Sequence, residues 1–144
     1  MIERVQVQIA SESDVAIARI RTHDLAVAEG LTEVAASALA TAVSELARNV
    51  LVHAAFGELV LGIRTGPELG PALGIVAIVR DHGPGIADIE LALRDGYSTS
   101  GTLGLGLPSA RRLVDELEIE TGPTIGTTVT VTTWSRSGAW RHDR

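Results

Sequence analysis

The sequence predicts an α+β two-layer sandwich, a mixed and mostly antiparallel sheet with helices on one face. Three observations predict it. The elements read in the order β α α β β, a loop with a short helix, then α β β, which is not the strict alternation of a doubly wound parallel sheet. No internal repeat or linker interrupts the 144 residues, so one domain over residues 1–134 with a polar, frayed tail at 135–144 is expected. Apolar residues make up 45% of the chain, enough for a core, yet only Phe56, Tyr97, Trp134 and Trp140 are aromatic, so that core must be Val, Ile, Leu and Ala.

Each element has its own local reason. Val5, Val7 and Ile9 alternate with Arg4, Gln6 and Gln8, the period-2 signature of a half-buried strand. Ser11 or Ser13 can cap a helix that runs to about Glu29, where Gly30 stops it. From Thr32 to about Ala54, apolar residues at Val34, Leu39, Val43, Leu46, Val50 and Leu51 follow a helical spacing free of Gly and Pro. Glu58–Thr65 and Leu73–Arg80 read as strands joined by the turn-forming GPELGP, the second apolar enough to be central. A short helix from Asp88 to Arg94 is expected next, and Pro108 then opens a helix carrying Arg111, Arg112, Val114 and Leu117. Glu118–Thr121 and Thr127–Trp134 close the domain as two strands around PTIG.

Composition excludes several function classes. All 12 basic residues are arginine, and a chain without lysine has neither the ammonium of a P-loop nor a Schiff-base nucleophile. A net charge of -6 argues against nucleic-acid binding. The absence of cysteine removes disulfides, thiolate zinc sites and thiol catalysis. The N-terminal MIERVQVQIA has no signal-like apolar core, and the longest apolar stretch, Leu73–Val79, is too short to span a bilayer. A cytoplasmic protein with no membrane partner is expected. His23, His53, His82 and His142 form no pattern that suggests a metal site or a phosphoacceptor.

Three constellations carry chemistry. In SELARNVLVHA, Glu45 and Asn49 stand four apart on one helical face. An amide oxygen can join phosphate oxygens and water around magnesium, leaving a nearby carboxylate to orient or deprotonate a hydroxyl. The same spacing also suits a solvated helix face. Asp81, His82, Gly83, Pro84 and Gly85 follow an apolar strand, so a carboxylate at the strand end can accept from an exocyclic amine while the glycines let backbone approach a flat ligand. Such an acceptor favours adenine over guanine. A plain Asx turn is the competing reading. Gly101, Gly104 and Gly106 precede the helix at Pro108 and can expose N–H groups to an anion without a lysine, unless the segment is simply a glycine loop. Their spacing, with no strand directly before them, does not fit a dinucleotide fingerprint.

Taken together, Glu-x-x-x-Asn, Asp-x-Gly-x-Gly, Gly-x-Gly before a helix and Gly126-Thr127 entering the last strand resemble the Bergerat-fold (GHKL) ATPases, a superfamily that includes gyrase, Hsp90, histidine kinases and MutL. The resemblance covers residues 1–134. SELARN and DGYSTSGTLGLGLPSARRLVDEL are most similar to the RsbT-type serine/threonine protein kinases of bacterial stressosome partner-switching modules. It implies ATP and Mg2+ as cofactors, Asn49 as the magnesium ligand and Glu45 as the catalytic base. It implies that Asp81 binds the adenine amine, that Gly85 packs on the base, and that Thr127 supports adenine recognition through a water. Gly104 and Gly106 would contact the phosphates, with Ile86 to Leu103 as a short lid; Gly83, Ile86, Gly101, Leu105 and Leu107 complete the implied cofactor-binding set.

Within these 144 residues there is no room for the transducer domain of gyrase and Hsp90 or the dimerisation helix of histidine kinases, so neither is expected. The implied function is phosphorylation of Ser or Thr on a STAS-domain antagonist, with binding and activation of a PP2C-type phosphatase attached. The alternative is an RsbW-type anti-sigma factor that sequesters a sigma factor, a class that generally lacks the DGYSTSG and GLGLPSARR pair. Monomer and homodimer both remain open. Any cation aiding the γ-phosphate must be an arginine, with Arg48 beside Asn49 and Arg94 in the lid as candidates. His53 reads as a satisfied helix-end histidine.

Overall fold

The computed structural model describes residues 1–83, 107–122 and 125–135. Their elements are β1 (Ile2–Ile9), α1 (Glu12–Ala28), α2 (Glu33–His53), β2 (Gly57–Arg64), β3 (Leu73–Asp81), α3 (Leu107–Leu113), β4 (Glu116–Gly122) and β5 (Gly126–Ser135). A single 3-10 turn at Pro67–Leu69 lies between β2 and β3. The strands form one sheet in the order β1-β2-β3-β5-β4. Every described pair is antiparallel, so the expected mostly antiparallel sheet has no parallel pair among the described residues. The expected helix at Asp88–Arg94 and the tail beyond Ser135 lie outside the described residues; β5 itself continues one residue past the expected strand end, to Ser135.

Helix ends follow from local hydrogen bonding. Of the two candidate caps, Ser11 serves: its Oγ accepts from the Asp14 N–H at 3.3 Å, while the Asp14 carboxylate accepts from the Ala10 N–H at 2.9 Å. The helix stops where the Gly30 N–H donates to the Val27 carbonyl and the Leu31 N–H to that of Ala26, with Gly30 at φ +102°. Glycine adopts this left-handed geometry without a Cβ clash. Thr32 caps α2 through its Oγ1, which accepts from the Ala35 N–H at 3.1 Å.

Strand alternation and register together build the core. Val7, Leu59, Val79, Val129 and Ile119 form one row across all five strands, and Val5, Leu61, Ala77, Val131 and Leu117 form the next. These rows face the helices, and α2 buries Leu39, Val43, Leu46, Ala47 and Val50 against them. Small residues sit where α1 meets α2, with Ala18 and Ala26 buried on one helix and Ala36 and Ala40 on the other, so the backbones approach closely. The core is aliphatic, as the composition requires. Of the described aromatics, Phe56 is exposed and Trp134 is half-buried on the far face of the sheet, with the Arg64 guanidinium 4.9 Å from its ring centroid.

The largest boundary difference from the sequence expectation lies between the last helix and β4. The helix opened by Pro108 ends at Leu113, so Val114 and Leu117 are not helical; Leu117 belongs to β4, which begins at Glu116 rather than Glu118. The Asp115 N–H already donates to the Thr132 carbonyl at 3.0 Å, and the Asp115 carboxylate accepts from the Trp134 N–H at 2.8 Å. Pairing with β5 therefore captures the chain early and points Leu117 and Ile119 inward on strand spacing.

Gly57 fixes how α2 sits on the sheet. A Cβ there would collide with the Arg80 carbonyl oxygen and lie 2.8 Å from Val50 Cγ1. Gly57→Ala must displace either β3 or the last turns of α2, and a loss of about 1–3 kcal/mol in unfolding free energy is expected from urea melts. An unchanged midpoint would contradict this seating of the helix.

His23 joins α1 to α2. Its Nε2 lies 2.8 Å from Glu33 Oε1 and its Nδ1 3.4 Å from Asp24 Oδ1, and these carboxylates, Glu33 foremost, raise the imidazole above its ordinary pKa of 6.5. A raised folded-state pKa means that the contribution is complete below about 6.5 and fades as pH rises through the folded value. The groups are exposed, so the effect is small. Thermal melts of wild type and His23→Gln should differ most at acidic pH and converge under alkaline conditions. A difference that grows with pH would contradict the assignment.

Candidate functional site

The site begins where the helix-facing rows turn polar. One step beyond the Val79 row lie Ile9, Gly57, Asp81, Thr127 and Thr121, aligned across the five strands. Because side chains two apart share a face, Asp81 and Thr127 inherit the inward direction of Val79 and Val129. A carboxylate and two hydroxyls thus finish a face that is otherwise aliphatic.

Backbone donors hold Asp81 in place. Its Oδ1 accepts from the Gly83 N–H at 2.9 Å and from the Thr127 N–H at 3.3 Å, which ties the end of β3 to the start of β5. Among the described residues no donor falls on Oδ2. The Asx turn and the ligand acceptor, alternatives in the sequence, are therefore compatible in one side chain: Oδ1 makes the turn, and no described donor occupies Oδ2. Thr127 is buried, and its Oγ1 lies 3.0 Å from Thr121 Oγ1. Gly126 stands at φ +74°, where a Cβ would collide with the Asp81 carbonyl and lie 2.8 Å from His82 Cα. Only glycine fits both demands.

Gly83 closes the gap to α2. A Cβ at Gly83 would lie 2.9 Å from Ala54 Cβ and 3.0 Å from the His53 carbonyl oxygen, so the last turn of α2 abuts the Asp81 loop. Asn49 lies one helical turn before His53, and Glu45 one turn before Asn49. Both are half-buried, at the border of the face that buries Leu46 and Val50, rather than on the fully solvated side. Arg48, exposed beside them, places Nη1 3.7 Å from Glu45 Oε1. Nearby, the Phe56 and His82 rings stand 6.4 Å apart at a 50° tilt.

The remaining expected site residues separate into two groups. Leu107 begins α3 and is 3% exposed, its side chain in the core, so any contact it makes with a ligand is through its backbone. Gly85, Ile86, Gly101, Gly104, Leu105 and Gly106 lie outside the described residues, as does Arg94. Sequence reasoning missed Thr121, whose place opposite Thr127 follows from the hairpin register around residues 123–125. Gly57, which seats α2, was missed as well.

The donor set fits magnesium bound through a ligand better than a protein cage. Among the described residues no group of three or more His, Cys, Asp and Glu could hold a metal. An Asn49 amide oxygen with phosphate oxygens and waters is the coordination magnesium accepts readily. The Asp81 arrangement gives a sharp test. Asp81→Asn keeps an acceptor for the Gly83 and Thr127 N–H groups but offers an amide N–H2 in place of Oδ2. Folding should persist, while affinity for an adenine nucleotide falls about 10- to 100-fold in fluorescence titrations. Unchanged affinity would remove Asp81 from base recognition.

Residues 9–133, from the end of β1 to near the end of β5, match the histidine kinase-like ATPase domain. The chain is 38% identical over 130 residues to the serine/threonine-protein kinase RsbT of Bacillus subtilis (strain 168), covering 90% of this chain and 96% of that protein. It is 36% identical over 95 residues to an anti-sigma F factor of Thermoanaerobacter sp. (strain X514), covering 64% of this chain and 65% of the relative. A further anti-sigma F factor, from Halalkalibacterium halodurans, is 33% identical over 94 residues, 62% of each chain. A family match that takes in all three described helices and reaches from the polar row of the sheet into both of its edges settles the family: this chain belongs to the histidine kinase-like ATPase domains.

Proposed function

We propose that this chain is a cytoplasmic, ATP-dependent serine/threonine protein kinase of a partner-switching module, acting on STAS-domain antagonist proteins and binding a PP2C-type phosphatase as a second output. The observation that carries the reading is the placement of Glu45 and Asn49 on successive turns of the helix whose end abuts the Asp81 loop. Similarity to a kinase over nearly that protein's whole length supports it further.

In this reading Asp81 Oδ2 accepts from the adenine amine, and Thr127 supports the base from the neighbouring strand. Asn49 holds the metal, and bound Mg2+ would supply charge neutralisation at the phosphates. Glu45 accepts the proton of the substrate hydroxyl as its oxygen bonds to the γ-phosphorus. The bond from that phosphorus to the β–γ bridging oxygen breaks, and ADP leaves. Because phosphoryl transfer is chiefly positioning and charge stabilisation, the chain needs no lysine for it.

The anti-sigma reading is favoured by one observation, similarity to the anti-sigma F factors over about two thirds of their length. In that case a sigma factor, rather than a STAS-domain protein, should be recovered with the tagged chain from lysate.

Incubation with labelled ATP, magnesium and purified STAS-domain proteins tests the kinase. Glu45→Gln should keep ATP affinity and lower transfer about 10²- to 10⁴-fold, the usual contribution of a general base. Asn49→Ala should abolish the magnesium-dependent part of ATP affinity. Wild-type transfer by Glu45→Gln would reject the base assignment.

A further inference from the structure

All 12 Lys and Arg positions are arginine, and most of the described arginines that pair do so away from the site. Arg4 lies 3.7 Å from Glu29, Arg80 lies 3.8 Å from Glu58, and Arg64 stacks on Trp134. Arg48 is different in place and partner. It stands three residues after Glu45 and one before Asn49, with Nη1 3.7 Å from Glu45 Oε1 and side-chain exposures of 49% and 36%. A glutamate has three side-chain torsions, and among the described residues Arg48 is the partner that meets the Glu45 carboxylate. A general base works only within hydrogen-bond reach of the proton it takes. An exposed pair one helical turn apart adds little to helix stability, so its effect on carboxylate geometry can be read separately from its effect on folding.

We infer that Arg48 is a positioning residue: its guanidinium holds the Glu45 carboxylate in the orientation that receives the substrate proton. The inference rests on the reading of Glu45 as the base and deepens it. Arg48 acts through Glu45, touching neither the nucleotide nor the transferred group, and so governs turnover and not ATP binding. Proximity also explains why one residue can restrain the carboxylate while leaving Asn49, on the next position, to its own partners.

The test is a double-mutant cycle on the full chain, read as phosphoprotein formed from labelled Mg-ATP and a purified STAS-domain protein at saturating and limiting ATP. Arg48→Ala should lower turnover about 10- to 100-fold, the scale of a misplaced catalytic group, with KM for ATP unchanged. Added guanidinium chloride at millimolar concentration should restore part of the loss, a response that a purely structural defect would not show. In the Glu45→Gln background, Arg48→Ala should cost nothing further. Wild-type turnover in Arg48→Ala beside a slow Glu45→Gln overturns this inference alone. A raised KM with turnover intact, or a further loss in the double variant, makes Arg48 a phosphate ligand and also overturns it. Wild-type turnover in Glu45→Gln beside a slow Arg48→Ala instead rejects the base reading on which it stands.

Discussion

The antiparallel register of β2, β3 and β5 is the constraint on which the rest of the structure depends. It places Gly57, Asp81 and Thr127 in one row directly beyond an aliphatic row, so that hydrophobic burial and the polar site are successive steps of one pattern. A slip of one residue would send Asp81 to the far face and Arg80 into the core, an arrangement that the burial of Leu59, Val79 and Val129 forbids. The carboxylate is thus aimed by the same forces that fold the sheet. Its two backbone bonds, from Gly83 and Thr127, then hold a side chain that the register has already directed.

Seating α2 is the second dependent step. Among the described glycines, Gly57 and Gly83 are the ones where a side chain would stand between this helix and the sheet or its loop. Their bareness brings Val50, Ala54 and the His53 carbonyl close, and the helix's 5.4 Å pitch then sets the heights of Asn49 and Glu45 above the polar row. In the proposed reading, phosphate chemistry in a chain without lysine would rely on what this framework presents: an amide oxygen, a carboxylate and an arginine next to it.

Much of this was legible in the sequence, for definable reasons. The strands with clean alternation and the helix caps at Ser11 and Thr32 are local features, and local physics suffices for them. Asp81 was legible because it sits at the end of an apolar strand, whereas Thr127 entered only through the family resemblance. The helix that begins at Leu107 was read too long because Val114 and Leu117 satisfy helical and strand spacing alike, and only pairing with Thr132 and Val131 decides between them. Thr121 and Gly57 were not legible because their roles exist only across strands. Glu45 and Asn49 were visible as a pair, but their half-buried position at the border of the core face needed the packed helix to appear.

The central claim is that one oxygen of Asp81, fixed by register and backbone donors, recognises the amine of adenine. Calorimetric titration of the wild-type chain with ATP and with inosine triphosphate tests it most directly, since in the latter a carbonyl oxygen replaces the 6-amine and N1 carries the proton. The account predicts that inosine triphosphate binds about 10- to 100-fold more weakly under identical magnesium and salt, because an acceptor would face an acceptor. Equal affinities would contradict it and would place the base, if it binds, away from Asp81.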